Sequence, residues 1–341
     1  MPSLYQSECH IAIQAVITAA RLCRNVQSVI DGALLSKDDR SPVTVADFAS
    51  QAIVCRQLEK HFPNDPMIAE EDSAALEEPE NAHLLDRIQH ELAVVNIEAE
   101  AKKIRDWIDR GNTQTYSRRF WTLDPIDGTK GFLRGEQYAI ALALIVDGKV
   151  EVAVLGCPHL SHPSAQKNST GTLFCAVRGE GTSSFPFDAE AVPQPVSVSK
   201  NGAASAARLC ESVESGHSSH NHSAHVAQLL GITSEPVRLD SQAKYATIAS
   251  GVADIYLRLP IRKEYQEKIW DHAAGMLIVE EAGGKVTDIT GKPLDFTQGD
   301  TLAKNHGVVA TNGLLHKKVI AALNQNFEGA LNAQQDTNVS G

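Results

Sequence analysis

Two aspartates stand three residues apart in Trp121-Thr-Leu-Asp-Pro-Ile-Asp-Gly-Thr-Lys-Gly-Phe132, directly after an apolar run. Carboxylates this close, Asp124 and Asp127, repel one another unless something positive lies between them. Magnesium suits such a place, because it takes oxygen ligands and commonly shares them with a substrate phosphate. Pro125 fixes its own φ and Gly128 opens a turn that other residues resist, so both carboxylates can be presented at one point. Taken alone, the stretch reads more readily as an Asp-Gly turn between two strands. Acidic groups elsewhere change that balance.

Three of them fall at the ends of expected elements. Asp47, within Ser41-Pro-Val-Thr-Val-Ala-Asp47, reads as part of the first turn of a helix. Glu70 ends the short apolar strand Met67-Ile-Ala69, and Asp271 begins Trp270-Asp-His-Ala-Ala-Gly275, where another helix starts. Singly, Asp47 and Asp271 could be carboxylates that satisfy a helix dipole, and Glu70 a solvated loop acid. Together they sit where layered α/β proteins gather ligands, at strand ends and helix starts.

The elements that must position these groups follow from periodicity. Residues 8–31 carry apolar positions at helical spacing and end at Asp31-Gly32. A second helix is expected from about Val45 to Phe62, with Thr44 as its N-cap and Pro63-Asn-Asp-Pro66 as its stop. Residues 73–118 are polar and helical in tendency, predicting one or two surface helices. From Phe120 the texture is β: runs 138–146 and 150–155 flank Asp147-Gly148, a hairpin signal, and Gly171–Val177 reads as a further strand. Residues 181–199, with three prolines and little periodicity, mark the expected boundary between an N-terminal α+β domain, 1–190, and a C-terminal α/β domain, 191–341. A helix over His272–Glu281 should close at Gly283-Gly284, and a last one should lie near Gly313–Asn324. The fold class expected is mixed α and β, in alternating layers.

With 341 residues, 43% hydrophobic and 21% charged, the chain can bury a sizeable core. Thirty-one basic against 42 acidic residues, net −11, disfavours nucleic acid or an anionic membrane as partner, though a metal can invert the field at one site. Six cysteines without a C-x-x-C pair fit reduced thiols. No signal peptide and no apolar run of about 20 residues is visible, so a cytoplasmic protein is expected.

The motifs taken together closely resemble one family, the lithium-sensitive, magnesium-dependent phosphomonoesterases related to inositol monophosphatase. Its three signatures occur in order as Ile68-Ala-Glu-Glu-Asp72, Asp124-Pro-Ile-Asp-Gly-Thr129 and Trp270-Asp-His-Ala-Ala-Gly275. Within it the chain is most similar to the 3′(2′),5′-bisphosphate nucleotidases. That likeness rests on Ser41–Asp47, Gly128-Thr-Lys-Gly-Phe132, Ser215-Gly-His-Ser-Ser-His220, Leu239-Asp-Ser-Gln-Ala-Lys244 and Tyr256-Leu-Arg-Leu-Pro260. It spans roughly residues 8 to 326. One extra residue between the His217 motif and Leu239 departs from the pattern.

The resemblance implies an α/β layered sandwich of the inositol monophosphatase and fructose-bisphosphatase kind. It implies two or three magnesium ions on Glu70, Asp124, the Ile126 carbonyl, Asp127 and Asp271, with Asp47 polarising the attacking water through Thr129, alone or with a further ion. Metal pairs about 4 Å apart can activate water and neutralise a leaving oxygen in an in-line displacement. No covalent nucleophile is then required. Thr129, His217, Ser241, Lys244, Arg258 and Asp271 would bind the substrate, adenosine 3′,5′-bisphosphate, with Lys244 or Arg258 taking the phosphate that is not cleaved. Lithium and sodium are the expected inhibitors. Hydrolysis to AMP and phosphate, extending to 3′-phosphoadenylyl sulfate, would remove an inhibitory by-product of sulfate assimilation and bear on salt tolerance. An inositol-phosphate phosphatase is the nearest rival; Lys130-Gly131 and the Gly-His-Ser-Ser-His segment count against it. A nucleotide sensor without catalysis would need a lost metal ligand, and none is missing. Four histidines within 217–225 invite a zinc reading, but no cysteine lies near to complete it.

Overall fold

Helix α1 (Gln6–Ser28) shows how the pattern becomes structure: Ala12, Ala15, Val16, Ala19, Leu22, Cys23 and Val26 are all buried, spaced three and four apart on one stripe. The computed structural model describes residues 4–29, 41–162, 171–187, 192–213, 220–260, 262 and 264–325. Against α1 packs α2 (Ser41–His61), followed by β1 (Met67–Ala69), α3 (Ala82–Val94) and α4 (Ala101–Asp109). Then come β2 (Arg119–Asp127), α5 (Thr129–Leu133), β3 (Ala139–Val146), β4 (Lys149–Cys157), β5 (Thr172–Val177), β6 (Gly181–Pro186) and β7 (Gln194–Val196).

Strands β1 to β7 form one sheet in sequence order, antiparallel throughout except that β1 and β2 run parallel. Along β3, Ile140, Leu142 and Leu144 enter one core while Ala139, Ala141, Ala143 and Ile145 enter another. This is the two-residue period of a strand buried on both faces, which is why its sequence is an unbroken apolar run. The expected hairpin is present, with Asp147 at φ 49° and Gly148 at φ 76° between β3 and β4.

The second half adds β8 (Leu209–Glu211), α6 (His220–Leu229), β9 (Val237–Arg238), α7 (Ala243–Ala249), β10 (Ile255–Arg258), α8 (Ala273–Glu281), β11 (Lys285–Thr287), β12 (Val308–Thr311) and a helix over 316–325. Its sheet has the order β11-β12-β10-β8-β9. Three cores separate five layers. The first lies between the helices α1 to α4 and one face of the large sheet. The second holds α7 and α8 between the two sheets, with Phe120 and Phe174 on one side and Tyr256 and Ala310 on the other. The third joins Leu209, Leu257 and Val309 of the small sheet to Val226 of α6 and to Leu315, Val319 and Leu323.

Two readings need correction. Helix α2 begins at Ser41, not near Val45, so Thr44 is not its N-cap and Asp47 belongs to the second turn. Pro42 stands in the first turn, where a missing N–H costs nothing and the fixed φ suits a helix, so the proline starts the helix instead of ending a loop. Residues 181–199 are also less irregular than their composition suggests. They supply β6 and β7, with Pro195 on the edge strand and Pro186 at a strand end, where a missing donor is tolerated.

Candidate active site

The pairing of β2 with β3 explains how Asp124 and Asp127 reach one point. Asp124 is opposite Ala141 and Asp127 opposite Ala139, so two residues intervene on β2 against one on β3. In a regular strand, residues three apart face opposite sides. The bulge at Pro125-Ile126 restores the parity and puts both carboxylates on the same side, and Pro125 has no N–H to lose from the ladder. The parallel register of β1 continues the row: Ala69 is paired with Leu123, so Glu70 emerges beside Asp124 at the strand ends.

Helix α2 and the 70–71 segment are held to these strands by side chains. Ser50 Oγ donates to the Pro125 carbonyl at 3.0 Å, one turn after Asp47. The Gln51 amide donates to the carbonyls of Glu71, 2.5 Å, and Ile108, 2.8 Å, and its Oε1 accepts the Glu71 N–H at 3.1 Å. Neither glutamine nor serine was legible as a site residue. Their only signal is being buried and polar in the middle of an apolar helix.

The second half closes over this cluster through residues 240–242, Gln242 above all. The Gln242 N–H donates to Asp127 Oδ2 at 2.5 Å. Its side-chain amide donates to the Trp270 carbonyl at 2.8 Å, and its Oε1 accepts the Gly275 N–H at 3.1 Å. Ser241 has φ 71°, a left-handed backbone uncommon for a residue with a Cβ, and it lies against Gly128, φ 91°. A Cβ on Gly128 would sit 3.0 Å from that of Ser241, so Gly128 is needed both for its turn and for close approach. Arg134 and Asp240 make an ion pair beside this junction.

A cavity of about 380 Å³ results. Glu70, Asp124, Ile126, Asp127 and Asp271 line one part of it, with Thr129 and Lys130 exposed at its edge; Ser241, Lys244, Arg258, Tyr265 and Lys268 line the rest. Asp47 is not among the lining residues, though its charge acts on Asp124. His217 lies outside the described residues. His222 and His225, on α6, join none of the groups able to hold a metal among the described residues.

The acid groups raise one another. Burial, then the charges of Glu70, Asp127, Asp271 and Asp47, push Asp124 well above the usual carboxylate range. Burial and Asp271 push Asp127 up to about 6, against the pull of Lys244 and the Gln242 N–H. Glu70, open to the cleft yet enclosed by the protein around it, is pushed up to about 8 by desolvation and by Asp271, and Glu71 to about 7. Burial and the charges of Glu71 and Glu70 raise Asp47.

These residues fit a divalent metal. One carboxylate oxygen from each of Asp124, Asp127 and Asp271 lies within 4.8 Å of the other two. Asp124 Oδ1 and Asp47 Oδ1 are buried with no hydrogen-bond partner, an arrangement native proteins avoid unless an ion or water supplies one. An all-oxygen donor set suits a hard cation.

Cations line the same cavity. Lys244 is buried, donates to the Leu239 carbonyl at 3.3 Å and lies 5.4 Å from the centre of the Tyr256 ring; desolvation lowers its pKa, while Asp127 raises it. Arg258 Nε is 3.2 Å from both oxygens of Glu267. Burial would push Glu267 up, but the hydrogen bond from His272 and the charge of Arg258 hold it down to about 2. Sequence reasoning missed Glu267. It lies in neither helix nor strand, so its four-residue distance from Asp271 carried no structural meaning.

Comparison with known proteins agrees with this geometry. Residues 4–328 match the inositol monophosphatase family. The chain is 46% identical to a 3′(2′),5′-bisphosphate nucleotidase of Emericella nidulans, over 94% of this chain and 98% of that one. It is 44% identical to that of Schizosaccharomyces pombe, covering 93% and 95%. It is 38% identical to 3′,5′-bisphosphate nucleotidase 2 of Arabidopsis thaliana, covering 95% and 98%. Among solved structures, inositol monophosphatases from Zymomonas mobilis (TM-score 0.62, 20% identity, 94% and 99% covered) and Anabaena (TM-score 0.60, 22%, 94% and 96%) share the fold. No helix among the described residues is long and apolar enough to cross a membrane. With three acidic signatures meeting in one cavity and a family match over nearly its whole length, the chain belongs to the inositol monophosphatase family.

Proposed function

We propose that the protein is a 3′(2′),5′-bisphosphate nucleotidase that hydrolyses adenosine 3′,5′-bisphosphate to AMP and phosphate, and removes the same 3′-phosphate from phosphoadenylyl sulfate. The observation that carries this reading is one cavity lined both by acid groups able to hold metal and by the cations Lys244 and Arg258, whose charges reach Asp127. A substrate with two phosphates can place one on the metal ligands and the other on these cations. The names of the relatives support the nucleotide over an inositol phosphate.

Glu70, Asp124, Asp127 and Asp271, with the Ile126 carbonyl, would hold two or three magnesium ions. Bound there, the metal would neutralise phosphate oxygens and ease deprotonation of the attacking water. The chain's own residues do the remainder. Thr129, first residue after the Gly128 turn, offers a hydroxyl at the cavity edge to pass a proton towards Asp47. Asp47, raised by burial, is a stronger proton acceptor than a free carboxylate. The backbone N–H groups after Gly128 face developing negative charge, and Lys244 and Arg258 hold the phosphate that stays. Ser241 borders the same space, and His217 completes the set in this reading. Lithium and sodium would inhibit by competing for a magnesium position, and a cytoplasmic location fits the substrate.

Phosphate release from adenosine 3′,5′-bisphosphate, inositol 1-phosphate and inositol 1,4-bisphosphate, with and without magnesium and lithium, tests the proposal. Magnesium-dependent, lithium-sensitive preference for the nucleotide is expected. Preference for either inositol phosphate would overturn it.

A further inference from the structure

Behind the cavity wall, Glu267 binds side chains from two elements and, through one of them, reaches a third. Its oxygens accept from Arg258 Nε of β10 at 3.2 Å, and Oε2 is 3.1 Å from His272 Nε2, the cap of α8. His272 Nδ1 is in turn 2.7 Å from the hydroxyl of Tyr245 on α7. An ionised carboxylate only accepts, so His272 carries its proton on Nε2 towards Glu267. Glu267, His272 and Tyr245 are 3%, 1% and 1% exposed, while Arg258 and His272 line the cavity and Glu267 does not. Tyr265 OH stands 3.4 Å from Arg258 Nη2 on its far side. The Glu267 backbone is itself fixed: its carbonyl accepts the Leu302 N–H at 2.8 Å, and, two residues on, the Ile269 N–H donates to the Asp300 carbonyl at 3.1 Å.

Each partner neighbours a residue of the site. Tyr245 follows Lys244, His272 follows Asp271, and Arg258 faces the cavity directly. A buried ion pair is weak support for stability, because desolvation offsets most of its attraction. What it does supply is a fixed geometry for the guanidinium. We infer that Glu267 is a positioning residue: it aims Arg258 at the phosphate that is not cleaved and keeps that cation at a set distance from the metal ligand Asp271. This inference rests on the bisphosphate reading above.

Glu267→Gln and Glu267→Asp test it in the full-length enzyme. The readouts are KM and kcat for adenosine 3′,5′-bisphosphate and for 4-nitrophenyl phosphate, and calorimetric affinity for AMP, which bears only the retained phosphate. For Glu267→Gln, the nucleotide KM is expected to rise about tenfold more than that of 4-nitrophenyl phosphate, and AMP to bind about tenfold more weakly. Glu267→Asp, which keeps the charge, should recover part of both losses. Unchanged AMP affinity, or equal KM changes on both substrates, would overturn the inference. If Glu267→Gln does not fold, Glu267→Asp against wild type carries the same comparison. A wild-type enzyme that neither cleaves the nucleotide nor binds AMP would instead overturn the substrate reading, and this inference with it.

Discussion

Gln242 and Asp127 are joined across the two halves of the molecule by a 2.5 Å hydrogen bond from the backbone N–H of one to the carboxylate of the other. Because the Gln242 side chain also bridges the Trp270 carbonyl and the Gly275 N–H, Asp127 and Asp271 are set relative to each other by a single residue. Gln242→Ala removes that bridge and leaves two buried backbone groups unpaired. A loss of about 2 to 4 kcal/mol in stability is expected, together with a fall in kcat of about a hundredfold from misplacement alone. Denaturant unfolding and steady-state kinetics measure both, and a stable variant with normal kcat would separate the bridge from the site.

Asp124 stands among four other acids, and its Oδ1 has no partner. Asp124→Asn should therefore raise the Tm of the metal-free protein by relieving repulsion, while turnover drops more than about a hundredfold. The magnesium-dependent rise in Tm should shrink at the same time. Destabilisation of the metal-free variant would count against an acidic cluster built for a cation.

The pH dependence has a definite sign. Asp127, Glu71 and Glu70 are raised to about 6, 7 and 8, so without metal the folded chain favours their protonated forms. Their contribution to stability is fully present below the unfolded values near pH 4 and is lost as pH rises through about 6 to 8. A bound cation favours the ionised forms instead. The Tm difference between magnesium and chelator should accordingly widen from about pH 5 to 8 and then level off. A difference that stays flat across that range in a fluorimetric melt would show that these acids do not share the metal.

Cys9 on α1 and Cys175 on β5 bring their sulfurs to 2.9 Å. The hydrogen bond between the two sulfurs holds the Cys9 thiol below its usual pKa, against the effect of burial. Hydrogen peroxide should join the two as a disulfide, with peroxide reduced to water. Peptide mapping should find a Cys9–Cys175 cross-link that is absent from Cys9→Ser, and the oxidised protein should melt a few degrees higher. Failure to detect the linked peptide would exclude it.

What was legible in the sequence was what lies within single elements. The runs of β3 and β4, the stripe of α1 and the Asp-Pro-Ile-Asp-Gly-Thr turn carry their structure in local periodicity and in the backbone limits of proline and glycine. The bulge could not be read, because parity along β2 is fixed only by its pairing with β3. Gln51 and Glu267 were invisible, since nothing in their own neighbourhood marks them; Gln242 lay inside the Leu239–Lys244 motif, but its partners Asp127, Trp270 and Gly275 are distant in sequence. The start of α2 was misplaced because Pro42 can end a loop or open a helix, and its local sequence does not decide which.

The sources of the site residues divide by sheet. Asp47, Glu70, Asp124 and Asp127 belong to α2 and the ends of β1 and β2, whereas Lys244 and Arg258 belong to α7 and β10 beside the small sheet. On the proposed roles, cleavage chemistry and the choice of what is cleaved are thus written mostly in separate layers, with Asp271 at the start of α8 reaching across to the first. A lineage could exchange the loops around β10 and, provided Asp271 at the start of α8 stays, keep the carboxylates, acquiring a new leaving group without rebuilding the reaction. Changes on the other side of the seam would have no such freedom, since every carboxylate there answers to the charge of the next.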